Sequence, residues 1–118
     1  MALEHADTQL LRAIVAQGRA IGSVGVFLRE NGQAELGYWL AQPYWGRDVM
    51  TRAVALLCAQ TFLRFDVSRI FATPYTANAA SRRVLEKAGF SDQGATQTHG
   101  CSRGNVCLYV LDRPDAQV

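Results

Sequence analysis

The sequence predicts an α/β chain on one mixed sheet, with its elements in the order βββαβαββ. Three observations carry that expectation. Three extended apolar runs follow one another with only short turns between them. After Asp48 the hydrophobic spacing becomes helical, and a strand-like run follows that helix. A second helical stretch, from Asn78 to Gly89, precedes two more strand-like runs.

Leu10 to Ala16 is rich in apolar and β-branched residues, and Gln17-Gly18-Arg19 breaks it before Ala20 to Leu28 resumes the extended pattern. Glu30-Asn31-Gly32-Gln33 supplies an Asn-Gly turn, which favours positive φ at both central residues and a tight reversal into Ala34 to Leu40. Gln42-Pro43 ends that strand, because proline lacks the ladder donor and restricts the residue before it. From Val49, the residues Met50, Ala53, Val54, Leu57, Cys58 and Phe62 recur at steps of three and four, giving one apolar stripe. Asp48 stands where a side chain would cap this helix. Arg69 to Thr73 returns to a strand, so a helix joins two strands, as in crossovers between parallel neighbours. Asn78 is expected to cap the second helix, with Ala80, Val84, Leu85 and Ala88 buried and Gly89 as its left-handed stop ahead of Phe90. Strands near Ser91 to Thr98 and Asn105 to Leu111 flank a polar turn, His99 to Gly104. Asp112-Arg113-Pro114-Asp115 reads as a solvated tail.

With 118 residues, 49% of them hydrophobic and 19% charged, the chain is expected to form a single domain, residues 1–118, with a real core. A net charge of +2, spread along the chain, and the absence of a recognition motif argue against nucleic-acid binding. Cys58, Cys101 and Cys107 follow no metal or redox spacing, and His5 and His99 are far apart. No metal is therefore expected, and free thiols suit a reducing cytoplasm. No signal peptide is read at the start, and no apolar stretch reaches the ~20 residues a membrane helix needs.

The stretch from Leu36 to Arg52 carries the chemistry. An aromatic strand runs through a short turn into a helix whose first N–H groups have no internal partner and which carries partial positive charge. That turn is a candidate anion cradle. Two segments then resemble the GNAT superfamily of acyl-CoA N-acyltransferases, within it the ribosomal-protein-type (Rim-like) branch. Ala34 to Leu40 followed by Tyr44-Trp45-Gly46-Arg47-Asp48-Val49-Met50-Thr51 is similar to the branch's strand and pyrophosphate loop, and Asn78-Ala79-Ala80-Ser81 leading to Gly89-Phe90 to its second signature. The pair in this order is more specific than either alone.

The resemblance implies a mixed, mostly antiparallel sheet flanked by helices, and acetyl-CoA as co-substrate. It places Trp45, Gly46, Arg47, Asp48, Val49, Met50 and Thr51 at the pyrophosphate, the pantetheine arm in a cleft where the strand Leu36 to Leu40 splays from the strand Arg69 to Thr73, along the backbone of Trp39 and Leu40, and Asn78 reaching that arm. Ser81 would be the general acid near the sulfur, since the tyrosine that other members use one helical turn later is here Leu85. Glu35 is a possible base, its alternative being a solvated outward face. Asp48 replaces a second glycine of the loop: its carboxylate either caps its own helix or opposes the pyrophosphate. The chain begins almost at the family's second strand, without the strand and two helices that come first, so a homodimer, or partial exchange of elements, is expected to cover the exposed surface. The activity implied is acetyl transfer to a primary amine, a protein N-terminus or a small amine, by direct attack in a ternary complex. The alternative is a catalytically silent CoA-binding or scaffolding module.

Overall fold

A computed structural model describes residues 9–97 and 105–114. The elements are β1 (Gln9–Ala16), β2 (Arg19–Leu28), β3 (Gln33–Leu40), α1 (Val49–Arg64), β4 (Arg69–Ala72), α2 (Ala79–Lys87), β5 (Ser91–Gln97) and β6 (Asn105–Asp112), which is the expected order. His5, His99, Cys101, Thr98 and the turn from His99 to Gly104 lie outside the described residues.

Both early hairpins close as their sequences dictate. Gln17 and Gly18 have φ of 53° and 77°, and Asn31 and Gly32 have 63° and 72°. Positive φ at both central residues matches the right-handed twist of the flanking strands. The sheet runs β1-β2-β3-β4-β6-β5, and every pairing is antiparallel except β3 with β4. That parallel pair is the one joined through α1, as a crossover requires.

Period-two alternation sorts the strand residues onto two faces. Leu10, Val24, Val26, Ala34, Leu36, Ile70, Ala72, Cys107 and Tyr109 form one buried cluster with Met50, Val54, Leu57, Cys58 and Phe62 of α1 and Leu85 of α2. Both helices thus pack on the same face. On the other face Leu11, Val15 and Trp39 are exposed. Gly25 lies there too: a Cβ on it would stand 2.3 Å from a Leu11 methyl carbon, so any larger residue would push that exposed side chain aside.

α2 begins with Asn78 Oδ1 accepting from the Ser81 N–H at 3.1 Å. It ends with Gly89 at φ +102°, where Phe90 N–H reaches Leu85 O and Gly89 N–H reaches Glu86 O. This is the Schellman stop expected of Gly-Phe. Two expectations need correction. Ala80 is exposed and borders the cavity described below, because only Leu85 of the proposed stripe is fully enclosed, with Val84 and Ala88 at its margin. Asp112 and Arg113 are also not part of a free tail, Asp115 lying outside the described residues: Asp112 closes β6 and pairs with Arg69, while Arg113 donates to the Val67 and Phe65 carbonyls at 2.8 and 2.7 Å and stacks on Phe62. Two carbonyls left over at the end of α1 and the following loop make that arginine a tether. No helix among the described residues is long and apolar enough to cross a membrane.

Candidate functional site

β3 pairs with β4 over three positions only, Gln33↔Arg69, Ala34↔Ile70 and Glu35↔Phe71, and then continues to Leu40 paired with β2 on one edge and open on the other. The two strands splay, and a cavity of about 620 Å³ opens between the free end of β3, the start of α1 and the first turns of α2. Tyr38, Leu40, Trp45, Met50, Thr51, Asn78, Ser81 and Lys87 are among its lining.

The free end of β3 offers main-chain groups to this gap. Ala41 N–H donates to Ile21 O at 2.8 Å, so by antiparallel alternation the peptide groups of Trp39 also turn towards β2. Those of Tyr38 and Leu40 face the gap. Of the two backbone positions expected to serve an extended ligand, the Leu40 peptide faces the gap and the Trp39 peptide faces β2, while both residues line the cavity. The Leu40 carbonyl accepts from the Trp45 indole N–H at 2.7 Å, so Trp45 folds back over the mouth of the cleft.

Beyond Trp45 the chain turns with Gly46 at φ +78° and Asp48 at φ +59°, then enters α1. The N–H groups of Arg47, Asp48, Val49, Met50 and Thr51 make no hydrogen bond to another described residue. A helix start with free N–H donors beside a cavity is a physical fit for a phosphate group. Arg47 stacks on the Tyr44 ring at 5.7 Å, which holds its guanidinium at the loop.

Asp48 does not cap α1. Its left-handed backbone conformation carries the side chain away from the first-turn N–H groups, which a cap would reach from an extended conformation. The carboxylate instead accepts from Lys87 Nζ at 3.0 Å, an exposed pair that ties the loop to the end of α2. Glycine adopts φ +59° without cost and brings no negative charge. Asp48→Gly is therefore expected to tighten coenzyme A binding by about three- to tenfold, a modest gain because solvent screens the carboxylate. Equal or weaker affinity by calorimetry would count against this.

Ser81 sits in the first turn of α2 with its hydroxyl 2.5 Å from that of Tyr38 on β3, whose phenol has the Ser81 carbonyl as a second acceptor within reach at 3.2 Å. Burial pushes the Tyr38 phenol above its ordinary value, and the serine bond draws it partly back. Tyr38 was not among the expected site residues. Its signal was present in the sequence, since it shares a strand face with Leu36 and so points towards the helices. Asn78 borders the same cavity, its carbonyl oxygen capping α2 and its amide N–H₂ making no bond to a described residue. Glu35 is elsewhere: on the opposite face of β3 it accepts from Arg29 at 2.9 and 3.1 Å. The structure does not bring it to Ser81. Cys58 is no nucleophile either, because burial pushes its thiol up to about 12. Cys58 and Cys107 are both free thiols.

A family model described as "Acetyltransferase (GNAT) domain" matches residues 1–91. The chain belongs to the GNAT acetyltransferase family. Among its curated relatives is the probable N-acetyltransferase YjcK of Bacillus subtilis, 33% identical over 106 residues, which are 84% of this chain and 59% of YjcK. This GNAT chain thus spans a little over half the length of that relative. Among solved structures, Mycobacterium smegmatis RimJ in complex with CoA-disulfide matches with a TM-score of 0.77 and 26% identity, over 89% of this chain and 53% of RimJ. RimL, a ribosomal L7/L12 alpha-N-protein acetyltransferase solved with coenzyme A, shares the fold at a TM-score of 0.79 and 23% identity, covering 89% of this chain and 62% of its own.

Proposed function

We propose that this chain carries the acetyl-CoA half of an N-acetyltransferase site and transfers acetyl groups to primary amines by direct attack. One observation carries the reading: a strand that splays from its neighbour opens beside a helix start whose N–H groups are free. The N–H groups from Arg47 to Thr51 would hold the pyrophosphate, with Trp45 and Gly46 shaping that loop, and the Leu40 peptide and the Asn78 amide would pair with the pantetheine amides. Bound there, acetyl-CoA supplies an activated acyl group. Ser81 would meet its sulfur and supply a proton as the thiolate leaves. With Glu35 held by Arg29, the amine gives up its proton to solvent.

The acceptor we propose is a protein N-terminus, as RimL's name describes, with small amines as the other class. The exposed side chains of Leu11, Val15 and Trp39 support the further proposal that two copies pair through this sheet face, and the free thiols suit a cytoplasmic setting. Thiol release from acetyl-CoA over a panel of peptides and small amines tests the activity. Release above the hydrolytic background with at least one amine is expected, and none with any amine would reject it. A monomeric mass by light scattering at micromolar concentration would remove the pairing.

A second reading is a binding module without turnover. The Asp48 carboxylate in the anion loop and the Trp45 indole on the Leu40 carbonyl favour it. Saturable thermal stabilisation by acetyl-CoA without thiol release would select it.

A further inference from the structure

We propose that Tyr38 is a positioning residue for acyl transfer: its hydroxyl donates to Ser81 Oγ and so leaves the single hydrogen of Ser81 free to meet the sulfur. This rests on the reading of Ser81 as the hydroxyl at the leaving group.

The argument is one of proton count. Each hydroxyl has one hydrogen and can also accept. The two oxygens are 2.5 Å apart, the short end of the O–H···O range, so one of the two hydrogens lies between them. If Ser81 were the donor, its only hydrogen would be spent on Tyr38 and its lone pairs would face the departing sulfur, where negative charge develops. If Tyr38 is the donor, Ser81 presents a hydrogen to the cavity. The phenol is the stronger acid of the two, which favours Tyr38 as donor. Before transfer it is neutral, since burial pushes its titration upward. The phenol's other acceptor, the Ser81 carbonyl, lies farther off at 3.2 Å.

In the transfer step the amine nitrogen forms its bond to the acyl carbon as the C–S bond breaks, and the bonding pair goes to sulfur. Ser81 Oγ passes its hydrogen to sulfur and recovers one from Tyr38. The proton shed by the nitrogen returns to Tyr38 through solvent, so both hydroxyls end as they began.

Tyr38→Phe removes one oxygen and keeps the ring that packs against the core. With coenzyme A bound, the thiol is read by the pH dependence of its alkylation, measured as alkylated coenzyme A by mass spectrometry. Tyr44, Asp48, Arg83 and Lys87 also line the cavity and are common to every variant, so differences between variants report the hydroxyl pair. Ser81→Ala is expected to raise the thiol pKa by about one unit, because it removes the hydrogen bond to the thiolate, and Tyr38→Phe to raise it by a smaller, measurable amount, because the Ser81 hydroxyl loses the donor that orients and polarises it. With an accepted amine, Tyr38→Phe is expected to lower kcat about tenfold, with KM for acetyl-CoA within about threefold. Added to Ser81→Ala it is expected to change nothing further.

A thiol moved by Ser81→Ala but not by Tyr38→Phe would overturn the role of Tyr38 and leave that of Ser81 standing. A Tyr38→Phe effect that persists in full in the Ser81→Ala background would also overturn it. A thiol moved by neither variant, or a wild-type protein that binds no coenzyme A, would overturn the reading of Ser81 and this proposal with it.

Discussion

Ser81→Ala is expected to lower kcat by about 10²- to 10³-fold with an amine that the wild-type protein acetylates, while KM for acetyl-CoA changes by less than about threefold. The size is that of removing a placed proton donor from a leaving group. The separation between the two constants follows from geometry. Among the described residues the Ser81 hydroxyl makes no hydrogen bond besides that with Tyr38, and its N–H, which Asn78 caps, is untouched by the substitution. The Tyr38 phenol keeps the Ser81 carbonyl as acceptor, so no buried polar group is orphaned and the fold is not put at risk. A kcat within threefold of wild type would remove Ser81 from the chemistry. A KM that rises while kcat holds would make Ser81 a binding group instead.

Leu85→Ala is expected to cost about 2–5 kcal/mol of stability and to lower Tm by roughly 10–15 °C. Leu85 is completely enclosed, where α2 meets the sheet and α1, and its carbonyl also anchors the turn that ends the helix. Truncation leaves a void that the neighbours cannot fill by sliding, because α2 is fixed at both ends: at Asn78 by the cap and at Gly89–Phe90 by the stop. Inside the helix, Arg82 binds the Thr76 carbonyl and Tyr109, and Tyr109 in turn donates to Glu86. A fall of less than about 3 °C by calorimetry would mean that the helix is not held as described.

The element order was legible because it depends on local signals. Asn31-Gly32 names its own turn, Asn78 names a helix start, and Gly89-Phe90 names a helix end. The cleft was legible only through the resemblance, since nothing in Leu36 to Leu40 by itself says that its neighbour stops at Phe71. What the sequence hid were side chains meeting across long intervals. Tyr38 and Ser81 are 43 positions apart, and Asp48 and Lys87 are 39 apart. Periodicity can place Tyr38 on the correct face and Lys87 on the Ala80 side of α2, but it does not say what each touches. Asp48 misled for a related reason: residue type suggested a cap, whereas the φ demanded by the turn decided where its carboxylate went.

Because β3 and β4 share only three residue pairs, the sheet is two three-stranded ribbons stitched together along a short seam. Beyond the stitch, nothing in the ladder opposes shear of one ribbon against the other; α1, spanning from the first to the second, acts as the strap. A guest lying in the gap and bonded to both ribbons would lengthen the stitch. Occupancy would then be felt as stiffness across the whole slab, out to strands the guest never meets.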